Sequence, residues 1–135
     1  IRSQNGFIYI QYIGKHLEYG DVIRICPKVF EQELSQFDNA FDSGYDALYP
    51  LNAALRYGLV TLVGHQPWTA CPKKWRRRGA IIDGRVKNWI IQDESGEVSK
   101  EVLSEEERQL PIASIWNHDF LLGRVIGNWR PELEI

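Results

Sequence analysis

The chain contains no methionine, no long apolar run and no recognisable catalytic signature. Its apolar stretches fall well short of the roughly 20 residues that a membrane-spanning helix needs, so no membrane partner is expected. The opening "IRSQNGFIYIQYIG" is too punctuated by polar residues for a secretory leader and offers no small-residue cleavage site. A chain that starts at Ile1 without methionine is expected to lack part of its native N-terminus. Cysteine is scarce too. Cys26 and Cys71 form no C-x-x-C pair, and two thiols in a domain this size suggest a reducing, cytoplasmic setting rather than a disulfide scaffold.

Histidine is just as sparse. His16, His65 and His118 are far apart and form no H-x-x-x-H pattern. A zinc site from Cys26, Cys71 and His65 has no ligand spacing to support it, so neither a metal nor any other cofactor is expected. Cys71 and His65 could pair as nucleophile and base, helped by the neighbouring Lys73 and Lys74. No third orienting residue or oxyanion-hole motif accompanies them. A small thiol-dependent enzyme is therefore a second alternative only, and no catalytic residue is assigned. "GLVTLVG" has the wrong spacing for a phosphate loop and reads as apolar strand.

What is present fits one domain spanning 1–135, with 44% apolar and 25% charged residues. "GFIYIQYIG" (6–14) and "YGDVIRIC" (19–26) read as strands, the second closed by Pro27. Residues 28–37 carry Val29, Phe30, Leu34 and Phe37 at helical spacing. Residues 38–46 read as a loop, 49–58 as a helix stopped by Gly58, and "LVTLVG" (59–64) as a buried strand. Residues 65–79 have no clear period and are expected to be a long loop or a broken edge strand.

A hairpin follows, with strands 85–92 and 97–103 around a turn at 93–96. Ser104 and Glu107 form a capping box that opens a helical turn ended by Pro111. Residues 111–116 read as a short strand, and Asn117 can cap a last helix that Gly127 or Asn128 stops. Trp89, Trp116 and Trp129 are expected to fix that helix to the sheet, whereas Trp68 and Trp75 are freer to meet a partner. The pattern predicts an α+β fold: a small, strongly twisted antiparallel sheet or partial barrel with short flanking helices.

Net charge is only −2, yet the charges are strongly segregated. Residues 73–87 hold Lys73, Lys74, Arg76, Arg77, Arg78, Arg85 and Lys87 against Asp83 alone. Residues 93–107 hold Asp93, Glu94, Glu97, Glu101, Glu105, Glu106 and Glu107 against Lys100. The basic run Lys73, Lys74, Trp75, Arg76, Arg77 and Arg78 could contact phosphates, with Trp75 stacking on a base. Pairing with the acidic stretch, or a solvated face, explains the same run without nucleic acid. In the acidic loop, carboxylates interleaved with Phe37, Phe41, Tyr45 and Tyr49 suit a surface that meets a basic protein.

The strand opening "YGDVIRI" and the ending "LSEEERQLPIASIWNHDFLLGRVIGNWRPE" resemble the immunity proteins of bacterial polymorphic-toxin and contact-dependent inhibition systems. That resemblance covers about a third of the chain. It implies a small cytoplasmic protein that is not an enzyme. Such a protein binds one cognate toxin C-terminal domain, frequently a basic nuclease, and blocks its active site or substrate groove. The toxin-binding residues expected here are Asp38, Phe41, Asp42, Tyr45, Asp46, Glu94, Glu97 and Glu101. The nucleic-acid-binding module built on residues 73–78 is the first alternative.

Overall fold

The computed structural model describes residues 1–68 and 70–134, so Thr69 of the expected 65–79 loop lies outside it. In chain order the strands and helices are β1 (Arg2–Ser3), β2 (Gly6–Phe7), β3 (Ile10–His16), β4 (Gly20–Ile25), β5 (Tyr45–Leu48), α1 (Leu51–Arg56), β6 (Trp75–Arg78), β7 (Ile81–Ile82), β8 (Arg85–Val86), β9 (Trp89–Asp93), β10 (Gly96–Lys100), α2 (Glu105–Arg108) and α3 (His118–Ile126). A short 3-10 turn follows at Pro131–Leu133. The fold is α+β. Its strands form four small antiparallel sheets, and among the described residues none closes into a barrel. The chain groups into two compact units, Ile1–Cys71 with Ile115–Trp129, and Pro72–Ser114 with the stretch from Arg130.

In the first unit β4 lies between β3 and β5. Its Val22, Ile23 and Ile25 are fully buried, as a central strand with two covered faces requires. A bulge shifts the β3–β4 register between Tyr12 and Gly14. Gly14 adopts φ +142°, and a Cβ there would sit 3.3 Å from the Cβ of Cys71, so both conformation and space favour glycine. β5 takes Tyr45 and Asp46 from the end of the expected 38–46 loop and adds Ala47 and Leu48, which fall between that loop and the expected helix. Its sequence, Tyr-Asp-Ala-Leu, is too short to show an alternation, but pairing with β4 fixes Tyr45 opposite Ile25 and Leu48 opposite Val22.

The helix expected over 28–37 does not form. Phe30 instead bridges Phe7, accepting its N–H at 2.7 Å and donating back at 2.9 Å. The Leu34 N–H donates to the Tyr9 hydroxyl at 2.7 Å, and the Phe30 and Phe37 rings meet Tyr9 edge-on. A helix of that length has little stability of its own, so these aromatic contacts decide the backbone path. α1 appears within the expected 49–58 segment. The chain then turns back on it, with Leu59 and Val60 donating to the Ala54 carbonyl. Residues 59–64 pair with no strand among the described residues, and only Val60 of the run is buried. β-branched composition alone does not make a strand without a neighbour.

α3 is capped as expected, with the Phe120 N–H donating to Asn117 Oδ1 at 2.8 Å and Gly127 at its end. It is held against β5 by aromatic packing. The Tyr45, Trp116 and Trp129 rings lie 5.4–6.1 Å apart, and the Arg124 guanidinium stacks 3.8 Å from the centre of Trp129. Trp89 takes no part in this cluster, because it belongs to the second unit.

The second unit is built on a sheet of order β10-β9-β6. The 89–100 hairpin forms with Asp93 Oδ1 accepting from the Ser95 N–H and hydroxyl. The expected 85–92 strand is divided. Arg85–Val86 turns back on Ile81–Ile82 through Asp83 and Gly84, both at positive φ, as a type I′ turn needs. The capping box is complete: Glu107 N–H donates to Ser104 Oγ, and Ser104 N–H to the Glu107 carboxylate. No helix of the described residues is long and apolar enough to cross a membrane.

Candidate functional site

The basic run was the most conspicuous candidate in the sequence, and in the structure most of it is committed internally. Residues 75–78 form β6, paired to β9. Trp75 is 3% exposed and its Nε1–H donates to the Pro72 carbonyl at 3.2 Å, so no face is offered to a base. Arg76 is 0% exposed. Its guanidinium donates to the carbonyls of Arg108 (3.0 Å), Leu110 (3.3 Å), Glu134 (2.5 Å) and Pro131. The same group stacks 4.2 Å from the centre of Trp89. Burial pushes its pKa down to about 10, with Glu134 acting in the opposite direction, so it remains a cation at neutral pH. Arg78 pairs with Glu134 at 2.5 Å and Arg77 with Glu97 at 3.4 Å. Lys73 and Lys74 alone of the run are exposed. As a phosphate-binding surface, residues 73–78 therefore lose Trp75 and Arg76 to the interior and have Arg77 and Arg78 already paired.

The acidic candidates divide in a different way. Asp38 and Asp42 are exposed, and Phe41 is half-buried. Tyr45 is 6% exposed and packs on Trp116 and Trp129, so it is a core residue and offers no anchor to a partner. Asp46 accepts two hydrogen bonds from Arg24, at 2.8 and 3.1 Å, and this tie joins β5 to β4. Glu94, Glu97 and Glu101 are exposed, but they belong to the second unit rather than to the unit of Asp38 and Asp42. Glu97 also accepts from Gln92, so its carboxylate serves its own sheet.

What the sequence did not single out is a cleft in the first unit. One cavity of about 290 Å³ is lined mainly by apolar and aromatic groups, Tyr9, Ile10, Tyr12, Phe37, Phe41, Leu62, Val63 and Trp68, together with Gln11, Gly64, His65 and Gln66. A second, of about 360 Å³, is more polar and is lined by Arg24, Asn39, Asp42, Gly44, Asp46 and Pro67. Both share Gln11, Phe37, Phe41, Gln66 and Trp68, so the two cavities adjoin across these side chains. The Gln11 amide donates to the Gln66 carbonyl at 2.6 Å, which ties the 65–68 segment to β3. Beside this cleft the apolar segment stays in solvent: Leu62 is 83% and Trp68 44% exposed. The available signal was the run 59–64 followed directly by His65-Gln66-Pro67-Trp68, an apolar segment with no strand signal after it to pair with.

The thiol alternative finds little help here. Burial pushes the Cys71 thiol up, and Asp46 pushes the same way against the opposing pull of Arg24. A nucleophilic thiolate needs the reverse. His65 packs edge-on against Trp68, with ring centres 6.0 Å apart. His118 bonds the Tyr49 hydroxyl at 3.0 Å, beside the Asn117 cap. Among the described residues no group of three or more His, Cys, Asp and Glu side chains could hold a metal ion. No family model, curated protein or solved structure matches the chain.

Proposed function

We propose that this chain is a binding protein of the immunity type, which neutralises a cognate toxin domain by covering its active site or substrate groove. One observation carries the reading: an open, aromatic-walled cleft beside an exposed acidic loop in the same compact unit. Aromatic side chains in a pocket supply most of the binding energy of a protein interface, and charges at its rim speed the encounter. Leu62 and Val63, which line the cavity, are themselves exposed and so open its apolar wall to solvent. Asp38 and Asp42 steer a basic partner such as a nuclease, whose own surface is shaped to meet phosphate.

The test is growth and inhibition with the C-terminal domain of a large secreted protein whose gene adjoins that of this chain in its source genome. Co-expression should restore growth, and purified protein should block the toxin's activity at stoichiometric amounts. Reversing Asp38 and Asp42 to lysine should slow association and flatten its salt dependence. Asp46 is left intact in this test, because its substitution would disturb the Arg24 tie. Absence of both growth rescue and a complex would overturn the reading.

A further inference from the structure

We infer that the cleft is a two-part pocket for a pair of neighbouring side chains on one loop of a protein partner, one aromatic or large apolar and the next basic. The inference rests on the reading of the chain as a protein-binding module and adds the chemistry of what it binds. The first part, about 290 Å³, is lined mostly by rings and aliphatic groups. That volume lies at the low end for small-ligand pockets and suits one large side chain better than an extended cofactor.

The second part has a different chemistry. Arg24 is the one cation among its lining residues, and two hydrogen bonds commit it to Asp46. Asp42 adds a further carboxylate that forms no ion pair among the described residues. The polar part is thus negative. Phe37, Phe41 and Trp68 line both parts, so ring faces stand beside that charge. Rings together with a carboxylate favour a guanidinium or ammonium group with an apolar stem. An anionic group would meet Asp42 and Asp46 without a spare cation. A purely apolar occupant would leave the polar part unused.

Amide-shift titration of the ¹⁵N-labelled full chain tests this, using acetyl-Trp-Arg-amide as the probe. Acetyl-Trp-Glu-amide and acetyl-Gly-Arg-amide are the controls. The expected result is saturable shifts at Gln11, Phe41, Asp42 and Gln66 with the first peptide, and binding about five-fold weaker or worse with either control. Asp42→Asn, at an exposed position, should erase the preference for arginine over glutamate while the shifts at Gln11 remain. Equal binding of the Trp-Glu peptide, shifts confined to other parts of the chain, or no saturable shift would each overturn the inference. Peptide binding without toxin neutralisation would overturn the immunity reading and leave the pocket standing. Neutralisation that survives Trp68→Ala and Asp42→Asn unchanged would do the opposite.

Discussion

Two stretches of this chain invert what their composition suggests. Residues 75–78, Trp-Arg-Arg-Arg, form a strand whose first two side chains are buried. Residues 59–68, rich in Leu, Val and Trp, stay largely in solvent. The difference lies in available partners rather than in hydropathy. Arg76 enters the interior because carbonyls from two chain segments, 108–110 and 131–134, converge on its guanidinium and Trp89 covers its face. A buried cation is tolerated when every donor is satisfied. The 59–64 run has no strand beside it among the described residues, so its apolar groups line a cleft instead of completing a sheet.

The sharpest way to break that contrast is Arg76→Ala. It leaves several inward-facing carbonyls without a donor and opens space beside Trp89, and should cost at least about 3 kcal/mol in urea unfolding of the full chain. Arg76→Lys should recover only part of this, because an ammonium lacks the planar fork. A loss under 1 kcal/mol for Arg76→Ala would mean the burial is not structural. Next in size is Arg24→Ala, which strands Asp46 half-buried and should cost about 1–3 kcal/mol by the same measurement.

A smaller effect concerns acid. The Lys100 hydrogen bond, with the Ser104 cap, holds the Glu107 carboxyl below its usual range. Its folded pKa is depressed, so its contribution is present above the unfolded carboxylate value and fades as pH falls through the folded one. Glu107→Gln should therefore flatten the acid limb of a stability–pH curve, and an unchanged limb would count against this pairing. Smallest of all is Leu62→Ser, expected to stay within about 0.5 kcal/mol of the parent, since an exposed side chain contributes little to the fold. A large loss there would place Leu62 in the core rather than at the cleft.

Features encoded by local chemistry were legible in the sequence. Ser104 with Glu107, Asn117, the turn of the β9–β10 hairpin and α1 all depend on neighbouring residues and lie within their expected bounds, although the hairpin's first strand starts at Trp89 rather than Arg85. What escaped depends on contacts distant in sequence. Phe30 follows Phe7 rather than its own helical period, and β6 is a strand because β9 lies beside it. The Asp83–Gly84 turn was readable as a hairpin signal but was masked by the single strand expected over 85–92. For the candidate site, Phe41, Asp42 and Trp68 were visible beforehand as residues suited to a partner. The cleft they share with Tyr9, Gln11 and Leu62 was not, because it is assembled from four separate stretches of chain.

The central claim is that a partner docks on the cleft and not on the basic strand. It is tested most directly by measuring toxin affinity for two paired variants, each confirmed folded by circular dichroism. The account predicts that Phe41→Ala with Trp68→Ala weakens binding on the order of 30-fold or more. Lys73→Glu with Lys74→Glu should change it by only a few-fold. The reverse outcome, full affinity without the aromatics and loss of binding without the lysines, would contradict it.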